Sequence, residues 1–178
     1  MSNQFYNFYY DPIRQGYDLD TWSTITGAPV VVSNVLSLNS ASCIHFADLL
    51  HGDATFSINI SEPAAGDDIV FGFHDLNQVS GVGFRVTDDE LYADSFIGSN
   101  ITSTLITWES GWSNENVEFR IKWDAGRVIF YINGTERVVT SDDTVPGSAL
   151  NLYVKSDSTN PLSLNYINVK GVQNLIWS

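Results

Sequence analysis

Over residues 118–140 the sequence EFRIKWDAGRVIFYINGTERVVT alternates polar and apolar residues with a period of two, and that period most narrows the folds open to the chain. Phe119, Ile121 and Trp123 fall on one face of the first segment and Glu118, Arg120 and Lys122 on the other, the signature of a strand with one buried side. Asp124-Ala125-Gly126 breaks the run. Val128, Phe130 and Ile132 then resume it as far as Asn133-Gly134, a dipeptide that accepts the positive φ angles of a tight hairpin at little steric cost. Residues 136–140 return as a third strand, so the stretch predicts an antiparallel meander.

The same alternation recurs along the chain. Ala54, Phe56, Ile58 and Ile60 interleave with Thr55, Ser57 and Asn59 up to Glu62-Pro63. Ile69, Phe71 and Phe73 share one face, and Gly72 on the opposite face allows a close approach. Residues 82–86 and 91–93 form a hairpin about Asp88-Asp89, and residues 30–32 and 35–38 another about Ser33-Asn34. Further strands are expected over 43–47, 102–108, 149–155 and 162–169. No segment has the period of an amphipathic helix, and no internal repeat is visible. About a dozen short strands with turns roughly every eight to twelve residues predict an all-β, two-sheet antiparallel sandwich. Three regions result: an N-terminal aromatic arm over residues 1–16, whose extended aromatic stretch stops at Asp11-Pro12, a sandwich domain over 17–170, with Trp22 and Ile25 buried near its start, and a C-terminal tail over 171–178.

Charge removes whole classes of partner. Eight Lys and Arg against 21 Asp and Glu give a formal charge of −13, which disfavours a phosphate backbone and an anionic membrane surface, so nucleic acid is set aside. No apolar run is long enough to span a bilayer, and membrane insertion is not expected. Cys43 is the only cysteine, which rules out an internal disulfide and a cysteine zinc cage, and it reads as a small buried apolar residue. The N-terminal stretch MSNQFYNFYYDPIRQG lacks the basic start and apolar core of a signal peptide. An extracellular role then implies another route of export, or a particle released by lysis.

The Trp22 segment leading into a hairpin, the HGDATFSINI and AGDDIVFGF strands and the FRIKWDAGRVIFYINGTERV meander together resemble the concanavalin A-like lectin and glucanase superfamily, in particular its laminin-G-like and family 16 glycoside hydrolase branches. The resemblance covers roughly residues 17–170 and is sharpest at Phe130-Tyr131-Ile132-Asn133-Gly134, which is similar to that group's F-Y-V-N-G hairpin. It implies a jelly roll of two curved sheets. The concave face holds the glycan in many catalytic members, and edge loops hold it in many lectins.

Catalysis in this setting needs a pair of carboxylates, about 5 Å apart for a retaining glycosidase, and a strand supplies them as acids at alternate positions. The E-x-D-x-E run of family 16 enzymes is missing. Asp88-Asp89-Glu90 sends adjacent acids to opposite faces and reads as a solvated turn. His45, His51 and His74 have no metal-ligand spacing and are expected to be structural or surface residues. The chain is therefore expected not to be an enzyme. No cofactor is expected either, although Asp67-Asp68, Asp88-Asp89 and Asp142-Asp143 carry the hard oxygen ligands that calcium would take.

Two features carry the functional expectation. Trp108 and Trp112 flank a loop with Glu109, Asn114 and Asn116, the one place where large rings and polar groups cluster as a glycan site requires; packing of those rings under the loop is the structural alternative. Phe5, Tyr6, Phe8, Tyr9 and Tyr10 crowd the arm, which is expected to dock on a neighbouring subunit by strand addition, or else to fold back as an edge strand on its own domain. The expectation is a non-catalytic, lectin-like structural or adhesive subunit of an extracellular assembly, foremost a phage capsid-surface or tail protein of a virion. Its partners would be other protein subunits, copies of itself among them, and a cell-surface or polysaccharide glycan. A stand-alone carbohydrate-binding module and a glycoside hydrolase with a dispersed acid pair are the alternatives.

Overall fold

The computed structural model of the chain describes residues 2–10, 22–32, 35–124, 126–157 and 162–175. Its strands are β1 (Ser2–Tyr10), β2 (Thr24–Thr26), β3 (Val30–Val32), β4 (Val35–Leu38), β5 (Ala41–Asn59), β6 (Asp67–His74), β7 (Ser80–Asp88), β8 (Glu90–Ile97), β9 (Asn100–Ile106), β10 (Val117–Asp124), β11 (Arg127–Ile132), β12 (Thr135–Thr140), β13 (Leu150–Ser156) and β14 (Leu162–Leu175). Their pairings are antiparallel. A single 3-10 turn at Ser110–Trp112 is the helical element among the described residues, and no helix is long and apolar enough to cross a membrane. The turns expected at Asp11-Pro12 and Ser33-Asn34, and Ala125 of the expected break, lie outside the described residues, as do positions 176–178 of the tail.

The meander forms as its alternation dictates. Phe119, Ile121 and Trp123 of β10 lie opposite Ile132, Phe130 and Val128 of β11, and Asn133 and Gly134 close the hairpin at φ angles of 49° and 75°. Where the sequence suggests two strands, over 43–47 and from 54 onward, the structure has one. β5 runs for 19 residues, and its alternation slips rather than ending, with Asp48 at a φ of 44°. Residues 41–49 pair with β13, while residues 52–58 pair with β10 and residues 49–59 with β14. The strand thus turns a corner, passing from one layer to the other across Leu50 and His51, where its buried parity flips and the ladder to β14 shifts register between His51 and Leu49.

That corner makes the two-sheet sandwich. The front layer orders β2, the first half of β5, β13, β6, β7, β8 and β9; the back layer orders β1, β14, the second half of β5, β10, β11 and β12. Their inner faces meet over fully buried rings: Phe71 of β6 packs 5.4 Å from Phe56 of β5 and 5.1 Å from Phe119 of β10, and Phe84 of β7 lies 5.2 Å from Phe130 of β11. Such offset and edge-to-face contacts add to the transfer of the rings out of water. Gly72 lets β6 and β7 close up, because a Cβ there would stand 2.3 Å from the Val82 carbonyl oxygen.

The arm is where the structure departs from the expected docking on a neighbour. β1 pairs along its length with β14 of its own chain, from Ser2 opposite Leu175 to Tyr10 opposite Ile167. Its even-numbered rings face the core: Tyr10 is fully buried with Trp22 edge-on at 5.3 Å, Phe8 stacks 4.1 Å from His45, and Tyr6 hydrogen-bonds the same imidazole. Phe5 and Tyr9 face outward. Aromatics at both parities hide a period of two that is nonetheless present. Regular pairing therefore runs through the arm and, along β14, past residue 170 to Leu175.

Candidate functional site

The 3-10 loop gathers the five expected glycan contacts, but each has a structural task. Trp112 is 4% exposed, edge-on to Trp108 at 5.4 Å, and capped by the Arg137 guanidinium 5.2 Å above its ring. Trp108 Nε1 donates to Ser113 Oγ at 3.1 Å, and Glu109 pairs with Arg137 at 2.6 Å. Asn114 takes a positive φ, donates its amide to Ile60 and accepts at its carbonyl from Asn59, while Asn116 accepts from Asn165. The indole expected to stack a sugar is core instead, since the short loop brings Trp112 down onto the sheet edge and leaves its ring no free face.

The acids expected to offer calcium ligands are engaged as well. Asp67 Oδ2 accepts from the Ala64 amide, Asp68 from Lys155 Nζ at 2.7 Å, and Asp142 from the Thr144 amide and the Thr102 hydroxyl, both at 2.9 Å. These hydrogen bonds, led by those from Thr144, hold the Asp142 carboxyl below its ordinary range. Asp88 and Asp89 occupy the two-residue turn between β7 and β8, Asp88 at a φ of 54°. Among the described residues no three His, Cys, Asp or Glu side chains converge as a metal cage requires.

The outer face of the front layer offers another arrangement. With Ile69, Phe71 and Phe73 inward, β6 turns His74 outward, and the facing positions Gly81 and Gly83 on β7 carry no side chain. The imidazole lies over them, close enough that a Cβ on Gly81 would stand 2.8 Å from its Cδ2. It stacks 4.8 Å from Tyr153 of β13 and meets Phe96 of β8 edge-on at 5.2 Å. Burial pushes its pKa down to about 4 against a smaller upward pull from Asp75, so the ring is neutral near pH 7. His74 Nδ1 is buried and has no protein hydrogen-bond partner.

Beside it, Arg85 and Asp94 form an ion pair across β7 and β8, with Nε 2.5 Å from Oδ2, and Arg85 also lies over the Tyr92 ring at 4.6 Å. These contacts stiffen a side chain that would otherwise move freely. Val70, His74, Arg85, Asp94, Phe96 and Ile101 border a recess of about 180 Å3. On the far side of the Tyr153–His74 stack, Thr26, Ser42, Gln78, Tyr153 and Lys155 border a second, more polar recess of about 350 Å3. The stacked pair divides one face into two adjoining hollows.

The acids of this face do not make a retaining pair. Glu90 and Asp94 lie four residues apart on β8, about 13 Å along the strand. Asp68 and Glu90 lie in one row two strands apart, about 10 Å between backbones, and are engaged by Lys155 and by the Tyr92 hydroxyl.

No family model matches the sequence, and no curated protein is similar to it in sequence. Solved structures are similar in fold. The carbohydrate recognition domain of Emp47p superposes with a TM-score of 0.70 at 10% identity, over 90% of this chain and 93% of that one. The VIP36 exoplasmic/lumenal domain, in a form bound to Ca2+ and Man3GlcNAc, gives 0.65 at 10% identity over 92% and 88%. A prokaryotic β-1,3-1,4-glucanase (lichenase) derived from a mouse hindgut metagenome gives 0.66 at 11% identity over 92% and 98%. The chain has the concanavalin A-like jelly-roll fold shared by lectins and glucanases. At such identity the likeness speaks for the fold alone.

Proposed function

We propose that the chain is a non-catalytic, lectin-like module that binds a neutral glycan on the outer face of the front layer. The observation that carries this reading is the 180 Å3 recess in which the half-buried Phe96 ring and Ile101 adjoin the fixed Arg85–Asp94 pair. A pyranose has an apolar face and a rim of hydroxyls; the ring and the isoleucine suit the first, and the guanidinium and carboxylate suit the second. The lectin and glucanase neighbours, one of them bound to a mannose-containing glycan, make a sugar a natural occupant of this fold. The engaged acids of the face favour binding without hydrolysis.

The finer reading is an adhesive subunit of an extracellular assembly, a virion surface or tail foremost. It is supported by the acidic charge of −13 and by the outward Phe5 and Tyr9 on edge strand β1. A glycan array followed by titration of a bound neutral oligosaccharide tests the site: Phe96→Ala is expected to weaken binding about tenfold or more with the fold retained, and the bound oligosaccharide stays intact. Release of shorter sugars, or full affinity in Phe96→Ala, would count against the proposal. Recovery of the chain with sedimenting particles from its native source supports the assembly reading, and recovery only as free protein counts against it.

A further inference from the structure

The back layer carries a second feature, independent of the glycan site on the front. On its outer face one row crosses four strands as Asn7 of β1, Lys170 of β14, Asp53 of β5 and Lys122 of β10, so a carboxylate stands between two lysines. Such a row would ordinarily close on itself as a pair of salt bridges. Asp53 instead turns both oxygens to Arg120 on the neighbouring row, Oδ1 2.7 Å from Nε and Oδ2 2.6 Å from Nη2. This fork-on-fork geometry engages both oxygens of the acid. Among the described residues no ion pair joins Lys122 or Lys170, while Arg85, Arg120, Arg137 and Lys155 each have a carboxylate partner. For a chain of net charge −13, two unengaged ammonium groups on either side of a neutralised acid are unexpected.

Both lysines border a hollow of about 360 Å3, which continues to the next row of the sheet. Phe5 and Val172 form an apolar wall there, and Phe5 is 90% exposed. Asp124 stands at the same rim, opposite Arg127 in the hairpin register. We propose that this hollow is a second ligand site, taking an acidic sugar: a pyranose that lies against Phe5 and places its carboxylate or sulfate between Lys122 and Lys170. Ammonium groups on flexible stems suit a compact anion of either kind. The exposed ring supplies the stacking surface that a bare charge pair lacks.

Titration of the full chain, followed by NMR, tests this with four probes: digalacturonate, N-acetylneuraminic acid, a sulfated chondroitin disaccharide and neutral digalactose. An acidic probe is expected to bind and to weaken as salt rises, and digalactose to leave the residues around Phe5 unshifted. Lys122→Gln and Lys170→Gln should each lower affinity about fivefold, the double variant should abolish it, and Phe96→Ala on the front layer should leave it unchanged. Preference for the sulfated over the carboxylated probes would identify the anion and sustain the site. Equal binding of digalactose, retained affinity in the double variant, or no response to any acidic probe at about 10 mM would overturn it.

Discussion

Removing the first ten residues is expected to destabilise the protein by about 3 kcal/mol or more, and so to remove a large share of typical domain stability. The deletion strips β14 of its nine-residue ladder and takes away Tyr10, which is fully buried, together with the Tyr6 and Phe8 rings packed on the core. It also uncovers Trp22, whose edge meets Tyr10 and Phe8, and unseats His45, which stacks on Phe8 and bonds Tyr6. The freed chain recovers the entropy that ordering the strand had cost, which keeps the net loss well below the sum of the buried rings. Urea unfolding of the full-length and truncated chains measures it. An unchanged midpoint, with association lost in the truncated chain alone, would instead place the strand on a neighbouring subunit.

Trp123→Ala should cost about 3–5 kcal/mol. The indole is 1% exposed, packs 5.8 Å from Phe73 of the opposite layer, and donates from Nε1 to the Pro146 carbonyl at 3.0 Å. Gly52 lies directly opposite it on β5, so the ring occupies space at the corner where that strand changes layer. The substitution opens a cavity there and leaves a buried carbonyl oxygen without its donor, and the two penalties add. Chemical denaturation reads the loss directly. A change below about 1 kcal/mol would mean that the indole is not part of the structural core.

What could be read from the sequence follows from how local its cause is. Residues 118–140 declared strands, faces and turn because alternation and an Asn-Gly pair act over neighbouring positions. The corner in β5 was not legible: a slipped alternation between Ala47 and Ala54 looks the same whether a strand ends or bends, and the partners on β13 and β14 that decide it lie about a hundred residues away. The arm misled because Phe5 and Tyr9 are aromatic like the inward Tyr6, Phe8 and Tyr10. Trp112 misled because residue type cannot tell a ring on a loop from a ring beneath it. The front-layer recess had a signal, in that the inward run Ile69, Phe71 and Phe73 forces His74 outward, over glycines at 81 and 83. Its assembly with Phe96, Arg85 and Asp94 needs the register of β6, β7 and β8, which no single stretch encodes.

Whether the outer face of the front layer receives a neutral sugar can be read from a backbone amide shift map of the intact chain titrated with a bound neutral oligosaccharide from the array. The shifted amides are expected to cluster on β6, β7, β8 and β13, around Gly83, Arg85, Asp94, Phe96 and Tyr153. A map centred on the Trp108 to Asn116 loop, or on residues of the back layer, would contradict it.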